Sequence, residues 1–247
     1  MTFTIHPTAD WGAVLAFAGA ALVWMTRQGT LPAALWGLLV ALVATAAFGA
    51  GAFVPLAVFV LGSGALTRTG REIKEERCAA EANAGRRGAA HVLAKLTVPA
   101  VASALAIVRA APADALALVY TASLVGAFAD TAATELGPLR AGAAWKLRGA
   151  ALASVPHGTP GAVSAAGLLA GALSALLLGA GSYAAAVVGP RAAAAGAAAG
   201  FAATLLESAL AGTKLGERAG HHGRNLFLSV ASAGIALSAR AAGWVPG

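Results

Sequence analysis

Fifty-nine per cent of the 247 residues are apolar and 11 per cent are charged, with a formal net charge of +7 and a mean hydropathy of +0.77. A soluble domain carries roughly 25 per cent charged residues, so this composition excludes a water-soluble globular protein and leaves an integral membrane protein. The basic balance does not imply a nucleic-acid partner, because most Lys and Arg fall between apolar runs, as the positive-inside rule expects.

The apolar runs are rich in Ala, Leu, Val and Gly with little alternation, which favours helices over a β-barrel. The 31 glycines suit helices that approach closely. The segment from Met1 to Asp10 has no Lys or Arg ahead of the first apolar run, so no cleavable signal is expected. That first run is Trp11 to Met25, the second Leu31 to Ala47, and the third Phe53 to Leu66. The charged segment Thr67 to Gly88 follows, with the one cysteine, Cys78, which allows neither an internal disulfide nor a Cys-based metal site. Capping-box spacing of Thr69 and Glu72 predicts a surface helix inside it. A fourth run, Ala89 to Val108, is interrupted by Lys95, and a fifth, Ala113 to Phe128, ends in the acid motif Asp130-Thr131-Ala132-Ala133-Thr134-Glu135. Pro138 to Pro160 is a second polar loop, Ala162 to Leu178 a sixth run, and Gly179 to Arg191 a break marked by Gly and Pro. The seventh run, Ala192 to Leu206, leads to a third polar loop, Glu207 to Arg224, and a last run, Leu226 to Leu237.

Placing the three polar loops on one side puts thirteen Lys and Arg there and leaves Arg109, Arg191 and Arg240 on the other, so the loop side is predicted to be cytoplasmic. The expectation is an all-α polytopic bundle of about six to eight transmembrane helices, one domain over residues 1–247, in a bacterial-type plasma membrane. Eight spans with both ends outside is the simplest count; several runs fall short of the ~20 residues of a full span, so six or seven with re-entrant pieces is the alternative. The segment Ala129-Asp130-Thr131-Ala132 echoes Leu206-Glu207-Ser208-Ala209, and each is followed by Leu-Gly, the mark of a pseudo-symmetric site if it is not chance.

Carboxylates where a membrane helix meets water need a reason. Asp130 and Glu135 offer hard oxygen ligands of the kind that bridge Mg²⁺ to substrate phosphates. They lie about 140° apart at ~100° per residue on an ideal helix, so one ion reaches both only if the helix ends between them. A pair of helix-end acids facing water is the other reading. Glu207 supplies a third acid, and with Ser208, Thr213, Lys214 and Asn225 it borders the third loop and completes a cytoplasmic pocket. Asn83 to Gly88 places Arg86 and Arg87 before a helix N-terminus, which fits phosphate oxygens and equally a lipid-headgroup anchor. His91 and Lys95 share one helix face; a lysine two turns into a span snorkels, or pairs with Asp130, Glu135 or Glu207. Pro156 to Gly161 offers phosphate-nest chemistry through Gly158, Thr159 and Gly161, with His157 either an acid–base group or a loop histidine. His221-His222 reads as solvated loop, since adjacent residues rarely point the same way.

These segments resemble, in combination and order, a membrane family long described as a domain of unknown function, whose plant member is the phytyl-phosphate kinase of vitamin E synthesis. The likeness runs through Gly62-Ser63-Gly64 with Leu66-Thr67, Ala80-Glu81 to Arg87 with Val92-Leu93-Ala94, the acid motif to Leu136-Gly137, Pro156 to Gly161 with Val163-Ser164, and Leu206-Glu207-Ser208. It covers most of the chain from about residue 60. The CTP-dependent polyprenol and phytol kinases look like a more distant relation. The resemblance implies phosphoryl transfer from a nucleoside triphosphate, CTP by that likeness, to an isoprenoid monophosphate such as a phytyl or geranylgeranyl one, giving the diphosphate. Carried over, Asp130 and Glu135 bind Mg²⁺, Arg86 and Arg87 hold phosphates, and Gly158, Thr159 and Gly161 cradle the nucleotide or lipid phosphate; the chemistry of the residues themselves adds Glu207 as a metal ligand, Lys95 as a catalytic group, and Asn83, His91, His157, Lys214 and Asn225 as phosphate contacts. The chain departs from the family pattern at His91 and Lys95, where Gln and Asn are favoured, at Pro160, where Asn stands, and at Glu207, where Asp stands. A transporter of a small anion or lipid phosphate, and a cytidylyltransferase forming a CDP-lipid, draw on the same residue types.

Overall fold

The computed structural model describes residues 5–77, 79, 86–140, 142–148 and 151–245, without the side chains of Leu147 and Arg148. The described residues form nine α-helices and one β-hairpin: α1 (Ala9–Met25), α2 (Leu31–Phe48), α3 (Phe53–Arg68), α4 (Arg71–Glu76), α5 (Ala89–Ile107), α6 (Ala113–Leu136), β1 (Ala144–Arg148), β2 (Ala151–Val155), α7 (Ala165–Ala184), α8 (Pro190–Ala211) and α9 (Lys214–Ala241). It is an all-α polytopic membrane protein: six helices, α2, α3 and α5 to α8, are long and apolar enough to span a bilayer. Helix α1, apolar but 17 residues long, and the longer α9 flank them.

Hydroxyls stop and start the chain where it turns. Thr30 caps α2 by accepting from Ala33 N, Ser164 caps α7 from Gly167 N, and Thr213 caps α9 from Gly216 N, each satisfying an otherwise orphaned donor. The surface helix predicted after Thr67 exists as α4, but Thr69 does not cap it. Its hydroxyl donates back to Ala65 O at 3.0 Å, and Gly70 begins the helix from a left-handed conformation.

Helix α6 is the axis of the bundle. Its apolar stretch is 94% buried, against roughly a third for the other spans. Helices α3, α5, α7, α8 and α9 all pack on it. Small residues make this surround feasible: Gly126 and Gly200 bring α6 and α8 backbone to backbone, and Thr204 Oγ1 donates to Gly126 O at 3.5 Å. Helix α7 turns Leu169, Leu173, Leu176 and Leu177 outward, as a lipid-facing surface requires. Exposed Trp11 and Trp244 mark one end of the bundle, Trp24 and Trp145 the other, where tryptophans settle at bilayer interfaces.

Three boundaries differ from the sequence reading: the stretch expected as a third polar loop, Glu207 to Arg224, is the end of α8 and the start of α9 around a turn at 212–213. Helix α6 does not stop at Phe128 but continues through the acid motif to Leu136, so its acids stay on different sides of an intact helix. Residues 179–184 extend α7 rather than opening a break, and the turn is confined to 185–189. The second polar loop also contains an antiparallel hairpin, paired from Ala144↔Val155 to Arg148↔Ala151. It is tied on by mutual backbone bonds between Trp145 and Val163, each 2.8 Å.

Candidate functional site

The C-terminal ends of α1, α3, α6 and α8 and the N-terminal ends of α5, α7 and α9 meet at one end of the bundle. Arg68 donates to Thr26 O at 2.8 Å, and the chain crosses between Gln28 and Arg87 through Arg87 N to Gln28 O at 2.9 Å. Between these ends lies a polar cavity of about 370 Å³.

Three buried or half-buried ion pairs surround it. Lys95, 2% exposed, donates to Asp130 Oδ2 at 3.1 Å, Thr131 Oγ1 at 2.9 Å and Ala127 O at 3.3 Å. Of the three acids offered as its partner, Asp130 is the one that takes it. Glu207 Oε1 accepts from Arg224 Nε at 2.9 Å. Glu135, 3% exposed, is held by Lys74, 1% exposed: Lys74 Nζ donates to Glu135 Oε2 at 2.7 Å, and Thr67 Oγ1 donates to Oε1 at 2.6 Å. The same ammonium caps α3 by donating to Leu66 O at 3.0 Å and Thr67 O at 2.9 Å.

These pairs leave different residues. Both Glu135 oxygens are engaged, whereas Asp130 Oδ1 and Glu207 Oε2 meet no donor among the described residues. Asp130 and Glu207 face the same cavity from α6 and α8 and act on each other electrostatically. The echo between their two segments thus corresponds to neighbouring helix ends on one site.

Arg87 is the cavity's cation without a carboxylate partner among the described residues. Its guanidinium donates to Thr67 Oγ1 at 3.2 Å and contacts His91 Nε2. Arg87, His91 and Lys95 also line a second space, an apolar cleft of about 90 Å³ between α1, α2, α3 and α5, walled by Ala16, Gly19, Phe53, Phe59 and Val60. The polar cavity and the apolar cleft therefore meet at one three-residue edge.

A family model described as Integral membrane protein DUF92 matches residues 12–222. The chain belongs to this family. An uncharacterised membrane protein of Synechocystis sp. (strain PCC 6803) is 39% identical over 122 residues, which are 49% of this chain and 46% of that protein. The match spans about half the length of that relative. No solved structure matches. The DUF92 region contains the acid motif, Lys95, Glu207 and the Arg87 edge.

Within this DUF92 member the expected site residues mostly converge. Arg87, His91, Lys95, Asp130, Glu135, His157, Gly158, Thr159, Gly161, Glu207 and Asn225 all line the cavity. Arg86 does not: it is exposed and donates to Gly29 O at 3.3 Å. Lys214 is exposed at the start of α9, outside the cavity lining. Asn83 lies outside the described residues, as does Cys78.

The loop over the cavity is shaped by Gly161. Its φ is +78°, and a Cβ there would meet Ser208 O at 2.6 Å and Gly212 N at 2.9 Å, so only glycine lets the loop rest on the end of α8. Thr159 Oγ1 closes the turn onto Pro156 O at 2.8 Å. The N–H groups of Gly158 and Gly161 donate to no acceptor among the described residues. His157 Nε2 lies 3.1 Å from Gly142 O. Asn225 is buried and donates to His221 Nε2 at 3.1 Å.

Lys74, Thr67 and Arg224 complete the electrostatics and are absent from the site residues expected in sequence, although Thr67 lies in one of the segments that carry the resemblance. Lys74 sits in a run of alternating charges that reads as solvated, and its partner is 61 positions away. Only the acid's depth in α6, which demands a counter-charge, signals that a loop cation must reach it.

Proposed function

We propose that this DUF92 protein is a membrane phosphotransferase that extends an isoprenoid monophosphate to the diphosphate, using a Mg²⁺-bound nucleoside triphosphate. The observation that carries the reading is the shared edge of Arg87, His91 and Lys95, which joins an apolar cleft to a polar cavity. That is the geometry an amphiphile with a phosphate head requires. A cavity of about 150 Å³ accommodates benzene, so a cleft of about 90 Å³ takes only the first isoprene unit, and the remaining chain lies along lipid-facing helix surface.

Arg87, free of any carboxylate among the described residues, grips the acceptor phosphate as a guanidinium fork does. A phosphate monoester loses its second proton near pH 6, so the attacking oxygen is already an anion and needs no general base. That oxygen bonds to the γ-phosphorus of the donor as the bond to the β–γ bridging oxygen breaks, and the nucleoside diphosphate departs with those electrons. Mg²⁺, when bound, would neutralise charge on the transferring phosphoryl group; Asp130 Oδ1 and Glu207 Oε2, carboxylate oxygens at the cavity that meet no donor among the described residues, are the ligands that fit it. Lys95 holds Asp130 in place and adds positive charge beside the transfer. The Gly158 and Gly161 N–H groups offer a cradle for donor phosphates. Glu135 braces the site through Lys74 and α3. CTP is the donor that the likeness to the CTP-dependent lipid kinases favours.

The test is turnover. Protein in detergent with Mg²⁺ and phytyl or geranylgeranyl monophosphate is offered CTP, ATP, GTP and UTP in turn, with mass spectrometry of the lipid and nucleotide products. Lipid diphosphate together with a nucleoside diphosphate supports the kinase. Pyrophosphate with a CDP-lipid means the cytidylyltransferase instead, and no product from any donor overturns the proposal for those lipids.

A further inference from the structure

The first turn of α5 and the second segment of α9 bring three histidines together beside the cavity. One ligand nitrogen from each of His91, His221 and His222 lies within 4.8 Å of the others. The His91 and His221 rings stack at 5.5 Å between centroids, and His222 sits edge-on to both, at 6.5 Å from His91 and 5.5 Å from His221. Adjacent histidines in a continuous helix diverge by about 100°. Gly220, with φ of +64° and ψ of −177°, breaks α9 immediately before His221 and sets the direction of the segment that carries both residues; their imidazoles reach far enough from the backbone for the ligand nitrogens to converge all the same.

We propose that His91, His221 and His222 form a binding site for a borderline-soft divalent cation of the Zn²⁺ class, distinct from any Mg²⁺ at Asp130 and Glu207. The cluster contains no carboxylate, and imidazole selects Zn²⁺, Cu²⁺, Ni²⁺ or Co²⁺ over the hard cations. Zn–N bonds of about 2.0–2.1 Å in a tetrahedron place nitrogens closer together than 4.8 Å, a gap that small rotations of two exposed rings close. Three protein ligands leave a fourth position for water or an anionic oxygen, the pattern of open zinc sites. His91 and His221 line the cavity, so that position opens beside Arg87. Arg87 contacts His91 Nε2; a guanidinium offers only donors, so Nε2 carries the ring's free lone pair, and an ion taking it displaces this guanidinium. Asn225 donates to His221 Nε2 at 3.1 Å, so an ion taking that lone pair takes the place of the amide nitrogen.

The experiment uses tag-free, chelator-stripped protein in detergent, without lipid or nucleotide, so its outcome is independent of phosphoryl transfer. Co²⁺ is titrated by visible absorption and Zn²⁺ by competition. The expected result is one equivalent of Co²⁺ with the intense spectrum of a four- or five-coordinate site, displaced by Zn²⁺ and not by excess Mg²⁺. Affinity falls at least about tenfold in each of His91→Gln, His221→Ala and His222→Ala. His222 is exposed and outside the cavity lining, so its variant folds normally and keeps the test decisive. A weak six-coordinate spectrum, displacement by Mg²⁺, or unchanged affinity in all three variants overturns the site.

Discussion

Asp130 and Glu135 lie five residues apart on α6 and each faces a buried lysine, yet the protein completes the two pairs differently. Around Glu135 every valence is used: Lys74 and Thr67 take both oxygens, and Lys74 also closes the last carbonyls of α3. Around Asp130 the pairing stops halfway, with Lys95 on Oδ2 and Oδ1 turned to a cavity it shares with Glu207. A buried pair that is fully satisfied holds helices together, and one left incomplete at a cavity edge is a place for a ligand. The two sites separate because α6 remains helical through both residues, which turns them to different neighbours.

The contrast can be broken from either side. The largest expected effect is on turnover: Asp130→Asn removes the open carboxylate and lowers lipid diphosphate formation by at least about 100-fold. Its melting temperature stays close to wild type, because Lys95 lines the cavity and keeps the Glu207 carboxylate, on which it acts electrostatically, as a second counter-charge. Glu135→Gln has the opposite signature. It leaves the Lys74 ammonium without its counter-charge at 1% exposure and destabilises the protein by about 3–5 kcal/mol, read by denaturation in detergent, while turnover per folded molecule changes little. Arg87→Lys keeps the charge but loses the fork, and is expected to raise the KM for the lipid phosphate by roughly tenfold, about 1.4 kcal/mol, with a smaller change in kcat. The smallest effect is at the far end of the bundle. There Arg240 pairs with Asp114, whose side chain is 51% exposed, and Asp114→Asn shifts stability by no more than about 1 kcal/mol.

Much of the fold is legible in sequence because lipid imposes simple rules. Apolar runs had to be helices, and the helix ends fall close to the run ends at Met25, Leu31, Phe53 and Ala89. The concentration of Arg and Lys in three loops pointed to one charged end, and a lysine two turns into a span had either to snorkel or to find an acid; it finds Asp130. What sequence did not carry was register and reach. Ala132, Ala133 and Thr134 give no sign of whether the helix ends between the two acids. Lys74 belongs to a loop whose other charges, such as the exposed Arg71–Glu75 pair, stay in water, and only the path of α4 under the end of α6 buries it. The His221-His222 pair read as solvated loop because adjacent residues rarely point the same way; both are exposed, as that reading expects, but they lie in α9, and the turn at Gly220 carries them to His91. The hairpin of β1 and β2 is held largely by backbone bonds to Val163, which leave no trace in side-chain pattern.

The most direct test of this division of labour is a side-by-side measurement of Asp130→Asn and Glu135→Gln, each purified in detergent, normalised to folded protein, and assayed for lipid diphosphate formation and thermal stability. The expected result is a stable, inactive Asp130 variant and an unstable Glu135 variant whose folded fraction still turns over. An Asp130 variant that retains full activity, or a Glu135 variant that is as stable as wild type and inactive, would contradict it.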